Sequence, residues 1–181
     1  MNRLHYRRSL IVSVTLFLLV LSASAQIGNV GKLEAWTTKP VSRDHSANSE
    51  VTYIKTVRTA KHKEYDRVVF EFTGRIPNYR IEYLKSHFYE GEAGRVRIKS
   101  PGQAFVQLEF FTIPVSDEQL KFSEEKEFVP KGRLRMRTVQ SVKDQAFFEG
   151  FYDFVVGVGS RKPFRISELS NPSRVVIDFK H

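Results

Sequence analysis

The chain has 181 residues, 29 lysines and arginines against 20 aspartates and glutamates, and no cysteine, for a formal net charge of +9. That length fits one domain with a single core, and without cysteine neither a disulfide nor a lipid anchored on a thiol is available. Any stability must therefore come from packing, hydrogen bonds and ion pairs alone.

The first 25 residues carry Arg3, Arg7 and Arg8, then an apolar run from Leu10 to Leu21, then Ala23-Ser24-Ala25. This is the layout of a secretory signal peptide, with cleavage expected after Ala25. The apolar run is short of the roughly 20 residues that cross a bilayer, so no stable membrane span is expected after processing. Loss of the three leader arginines lowers the net charge from +9 to +6. A moderately basic exported protein, periplasmic or extracellular, is drawn to anionic wall polymers or phospholipid surfaces, and nucleic acid is not an expected partner.

Residues 26–50 show no apolar period and are rich in Gly, Ser, Asn, Pro and Thr, which predicts a flexible N-terminal arm. Trp36 sits inside it, either as a sugar-stacking ring or folded back onto the domain. From Val51 onward, short segments rich in Val, Ile, Phe, Tyr and Thr alternate with period two and are separated by "GRIPN", "GEAG", "SPGQ", "GSRKP" and "SNPS". Eight or nine short strands over 51–181 follow, including "YDRVVFEF", "YRIEYL", "RVRIK", "AFVQLEFFTI", "RLRMRTV", "FYDFVVGVG", "FRISEL" and "RVVIDF". Such spacing predicts an all-β fold, an antiparallel sandwich or small barrel. The polar stretch 114–132 is read as a long loop or a helical turn.

The strand "YDRVVFEF" nearly recurs at the end as "SRVVIDF". Alternation puts Val68, Phe70 and Phe72 on one face and Arg67, Val69 and Glu71 on the other; likewise Val175, Ile177 and Phe179 oppose Arg174, Val176 and Asp178. If the two strands pair with Val69 opposite Val176, then Arg67 meets Asp178 and Glu71 meets Arg174, two ion pairs that fix the register. Otherwise they are amphipathic strands of different sheets.

Those residues also carry a resemblance. Tyr65-Asp-Arg-Val-Val-Phe-Glu-Phe72, the Pro77-x-Tyr79-x-x-x-Tyr83 segment, Phe148-Glu-Gly150 before a strand, and Pro172-x-Arg-Val-Val-x-Asp178 together resemble an AMIN-like domain of the bacterial cell envelope. That group is related to the AMIN domain of cell-wall amidases and secretins. The resemblance implies a noncatalytic β-sandwich over about Val51 to His181 and, by relation to AMIN domains, peptidoglycan binding that positions an envelope protein. The missing cysteine and the absence of an attached amidase or secretin domain depart from the pattern. Tyr65, Asp66, Arg67, Glu71, Arg174 and Asp178 are read as structural members of the motif. Tyr79, Arg80 and Tyr83 are candidate ligand contacts, since aromatic faces and guanidinium groups suit a glycan surface; the alternative is that they are buried.

Independently of any family, "KGRLRMRTV" places Arg133, Arg135 and Arg137 on one face of a strand about 7 Å apart, with Leu134 and Met136 on the other. Such a row fits the carboxylates of muramyl peptides or the phosphates of a wall polymer or lipid headgroup; otherwise it is a solvated face or an edge strand protected by charge, neutralised by Glu124, Glu125 and Glu127 nearby in sequence. His45, His62, His87 and His181 are scattered without metal-ligand spacing, and Ser160 lacks a nucleophile elbow. No catalytic residue, metal or cofactor is expected. The alternative function is a carrier whose cavity is lined by Phe105, Phe110, Phe111, Phe147, Phe148, Phe151 and Phe154.

Overall fold

A computed structural model describes residues 34–45, 51–91, 94–112, 129–130, 133–148 and 150–181. They form eleven strands: β1 Val41–Arg43, β2 Ile54–Lys61, β3 Tyr65–Phe72, β4 Asn78–Tyr83, β5 Phe88–Gly91, β6 Gly94–Arg97, β7 Ala104–Phe111, β8 Val139–Phe148, β9 Phe151–Val158, β10 Phe164–Leu169 and β11 Arg174–Lys180. One sheet runs β10-β11-β3-β2, the other β1-β4-β7-β9-β8, and β5-β6 stand apart as a hairpin. Every pairing is antiparallel. No described residue is helical.

The sandwich is held by the alternation in the strands. Val68, Phe70 and Phe72 of β3, Val175, Ile177 and Phe179 of β11, and Phe164 and Ile166 of β10 turn inward. They meet Tyr79 and Ile81 of β4, Val106, Leu108 and Phe110 of β7, and Tyr152, Phe154 and Val156 of β9. Phe70 touches Phe110 and Phe154 with ring centroids 5.0 and 5.1 Å apart, and Phe72 meets Phe110 at 5.2 Å. Each such ring or branched chain taken from water contributes roughly 1.5–3 kcal/mol, the main driving force for stacking the two sheets.

The two similar strands are neighbours. Val69 lies opposite Val176, Arg67 opposite Asp178 and Glu71 opposite Arg174. A shift by one residue would turn Phe70 and Ile177 to the outside and the charged side chains inward, so the apolar face and the ion pair select one register.

The arm expected to be flexible over 26–50 is ordered across its described part, 34–45. Thr37 and Phe164 exchange two backbone hydrogen bonds of 2.8 Å at the outer side of β10, and β1 pairs with β4 in the other sheet. The arm thus passes from one sheet to the other and covers the exposed sides of β10 and β4. Backbone pairing needs no apolar period, so composition gave no sign of it. On the opposite side, β2 is an edge strand carrying exposed Lys55, Arg58 and Lys61, charges that disfavour pairing with another chain.

The expected strand "RLRMRTV" is also displaced. Residues 133–138 join no ladder, although Leu134 donates its N–H to the Gln140 carbonyl at 2.8 Å; the strand proper is β8. The stretch 114–132 falls outside the described residues except for Val129 and Pro130.

Candidate functional site

The outer face of the four-stranded sheet gathers the motif residues. Asp178 is 1% exposed and accepts from Arg67 Nε at 2.6 Å, Arg67 Nη2 at 3.0 Å and Arg165 Nε at 3.0 Å. β11 lies between β3 and β10, so one carboxylate serves a guanidinium from each neighbour. The hydrogen bond to Asp178 is the main cause that raises the Arg67 pKa above its ordinary value. Tyr65 lies beneath both cations, 5.2 Å from Arg67 and 5.0 Å from Arg165, and Trp36 of the arm packs over Arg165 at 4.5 Å. Trp36, Arg165 and Tyr65 thereby alternate as ring, guanidinium and ring, and the arm is fastened to the sheet through cation–π contacts. Of the two readings of Trp36, the ring folded back onto the domain is the one observed; the sequence did not single out Arg165, for which the outward position of arginine in "FRISEL" was the available signal.

The second expected ion pair does not form. Glu71 instead receives Lys55 Nζ at 3.1 Å and Arg58 Nη2 at 2.8 Å from β2, while Arg174 donates to the Pro172 carbonyl at 3.1 Å. Strand β2 flanks Glu71 on its other side, and its two cations satisfy the carboxylate. Asp66 is fully buried and caps the start of β8, accepting the N–H groups of Thr138 at 2.5 Å and Val139 at 3.0 Å; His181 Nε2 lies 3.1 Å from its other oxygen.

Tyr79 and Tyr83, expected as stacking surfaces, are buried between the sheets. The Tyr79 hydroxyl donates to Glu168 Oε1 at 2.8 Å, and His45 Nε2 lies 3.2 Å from the same oxygen. Burial first, then the bond to Glu168, push the Tyr79 phenol far above its ordinary value. The Tyr83 hydroxyl donates to the Lys162 carbonyl at 2.6 Å. Both therefore tie β4 to the β10 side of the sandwich, each ring in the core and each hydroxyl at its rim. Arg80 points to the opposite face of β4, where it pairs with Glu82 at 3.0 Å. The three do not converge on one site. The reason is the period of two: Tyr79, Ile81 and Tyr83 share the core face, and Arg80 cannot.

Arg133, Arg135 and Arg137 are all exposed, whereas Leu134 and Met136 pack against the core. The alternation expected of this segment is present without a strand, because the apolar pair seats it and the Leu134–Gln140 hydrogen bond holds it against β8. Among the described residues these guanidiniums make no ion pair, unlike Arg67, Arg165 and Arg58.

The outer face of the five-stranded sheet carries carboxylates. Glu109 and Asp153 are directly opposed across β7 and β9, and Gln107 Nε2 donates to both Asp153 oxygens at 3.2 Å. Burial, only partly offset by Gln107, pushes Asp153 up to about 6, and burial likewise raises Glu109. A raised folded-state value favours the protonated form, so its contribution to stability is complete below the ordinary carboxylate range and is lost as pH rises through about 6. Asp153→Asn is thus expected to stabilise the fold at pH 8 by about 1–2 kcal/mol after allowance for solvent screening. The gain should vanish near pH 4, as followed by urea unfolding at both pH values.

The phenylalanines proposed as a cavity lining divide between places. Phe110 and Phe154 fill the core, Phe105 packs with Ile98 and Val155 in a small cluster, and Phe111 and Phe151 meet at the surface with centroids 5.3 Å apart. The side chains of Phe147 and Phe148 fall outside the described residues. No three His, Asp or Glu side chains gather as a metal site among the described residues.

Two packed antiparallel sheets, braced by buried ion pairs and presenting cations at the surface, define a β-sandwich module. The chain belongs to the AMIN-like domain family, whose model matches residues 52–181, and so to a group of cell-envelope modules. The match leaves out Trp36 and β1, so the strap across β10 and β4 lies beyond the family's span. No curated protein and no solved structure matches the chain.

Proposed function

We propose that this protein is a noncatalytic module exported to the periplasm or extracellular space, cleaved after Ala25, that binds peptidoglycan or another anionic wall polymer. The observation that supports this reading is the exposed row Arg133, Arg135 and Arg137, seated on the core by Leu134 and Met136. Three guanidiniums that make no ion pair among the described residues, on a short extended segment, can engage successive carboxylates or phosphates of a repeating polymer, and bidentate geometry favours arginine for both. An envelope protein that the module positions in the wall is a further partner. The carrier reading gains no support from the phenylalanines, since the core rings pack against one another.

The test is co-sedimentation with purified wall sacculi. Binding is expected at 50 mM salt, with marked weakening at 500 mM as surface charges are screened. Changing the three arginines to glutamine should lower affinity about tenfold or more, given up to about 1 kcal/mol for each exposed ionic contact. Unchanged sedimentation of the triple variant, or none by the unaltered chain at low salt, overturns the reading.

A further inference from the structure

The β5–β6 hairpin belongs to neither face of the sandwich. It forms a separate two-stranded sheet, with Phe88 opposite Arg97 and Gly91 opposite Gly94. A lone hairpin is marginal in water, so this one must be braced at its foot. Ile98 is buried with Phe105 and Val155, with Leu84 packed against them. The His87 ring meets Phe105 edge-on at 5.2 Å, and Ile98 donates its N–H to the His87 carbonyl at 3.0 Å. Beyond Ile98, Ser141 Oγ accepts from Ser100 and donates to the Pro101 carbonyl at 2.6 Å. Gly157 permits this approach, because a Cβ there would lie 2.0 Å from the Pro101 oxygen.

The hairpin and its foot combine exposed cations with an exposed ring. Lys85, His87, Phe88, Arg95, Arg97 and Lys99 are all exposed, Phe88 at 38%. Arg95 lies over the Phe88 ring at 4.9 Å. Lys85, Arg97 and Lys99 make no ion pair among the described residues, in contrast to Lys55, Arg58, Arg67, Arg80 and Arg165, which share Glu71, Glu82 and Asp178. Phenylalanine has no hydrogen-bonding group, so an exposed ring adds to binding chiefly by leaving water for an apolar medium. An exposed ring with Arg97 opposite it in the register matches the boundary layer of an anionic bilayer, where headgroup phosphates meet the cations and the ring enters the acyl boundary.

We infer that the β5–β6 hairpin is a peripheral contact for an anionic phospholipid surface, with Phe88 as the inserting group and Arg97 and Lys99 as the headgroup contacts. The hairpin and the arginine row are made of different residues, so each can be altered while the other is kept.

The test uses the exported chain, its N-terminus defined by mass spectrometry, sedimented with phosphatidylglycerol-containing vesicles and with pure phosphatidylcholine vesicles at 50 mM salt. Binding is expected to the first and not to the second. Arg97→Gln with Lys99→Gln should weaken it about thirtyfold, from roughly fivefold for each cation at an anionic surface, and Phe88→Ala roughly tenfold. Both variants should still sediment with sacculi, with unfolding midpoints unchanged. As a second readout, Phe88→Trp should add fluorescence that brominated lipids quench. Vesicle binding that survives these changes, equal binding to both vesicle types, no binding to anionic vesicles, or loss of sacculus binding instead would each overturn the inference; the last would mark the hairpin as a wall contact. Failure of the unaltered chain to bind sacculi, with vesicle binding intact, would reject the wall reading and leave this one standing.

Discussion

Asp178→Ala is expected to cost about 3–5 kcal/mol of folding stability, the range for removing one partner of a buried ion pair. The carboxylate is 1% exposed and holds Arg67 from β3 and Arg165 from β10. Without it, two guanidiniums with about a quarter or less of their side chains exposed face each other without compensation. Trp36 rests on Arg165, so the arm should loosen as well. A domain of this size has only about 5–15 kcal/mol in all, and the variant should unfold at markedly lower urea concentration. Combining Asp178→Asn with Arg165→Gln should cost less than the sum of the single changes, because the second removes a charge the first has orphaned. A loss under about 1 kcal/mol for Asp178→Ala would mean that the triad is solvated and contributes little.

Asp66→Ala is the second large effect, expected at about 3–4 kcal/mol, since a buried donor left without its acceptor costs about 1–3 kcal/mol. Two donors are at stake, the N–H groups of Thr138 and Val139, together with the contact to His181. The loss should be structural as well as energetic. Asp66 joins the first residues of β3 to the first residues of β8, which lie in different sheets. Amide hydrogen exchange at Thr138 and Val139 should accelerate far more than at Val106 or Leu108 in the middle of the five-stranded sheet. Asp66→Asn, which keeps one acceptor oxygen, should cost about half as much. Uniform acceleration across both sheets would contradict a local role.

The strands with clean alternation were legible because burial on one face imposes period two. β3 and β11 are such strands; the sequence left open whether they pair, but the register it gave for the paired case, Arg67 to Asp178 and Val69 to Val176, is the observed one. Strand β8 was not legible. Gln140, Lys143, Asp144 and Gln145 break its apolar pattern, and it departs from regular register after Val139 and after Asp144, so no single period runs through it. The arm was hidden for a different reason: Thr37 and β1 are held by backbone hydrogen bonds, which leave little trace in side-chain chemistry. Ion pairing was half legible, since the sequence shows which charges share a face but not that Lys55 and Arg58 outcompete Arg174 for Glu71.

The candidate site shows the same division. Tyr79 and Tyr83 suggested a glycan surface by residue type, yet their shared face with Ile81 already placed them inside. A tyrosine accommodates both demands, its ring in the core and its hydroxyl at a polar rim, as the bonds to Glu168 and Lys162 show. The arginine row kept its outward alternation although its segment joins no sheet, because Leu134 and Met136 needed only a core to rest on.

The most direct measurement of wall binding follows the guanidinium resonances of the protein by NMR while soluble anionic wall fragments are added at low salt. The account predicts that Arg133, Arg135 and Arg137 shift in a saturable way and that Arg67 and Arg165, held by Asp178, do not. Saturable shifts confined to Arg67 and Arg165, or none at the exposed row, would contradict it.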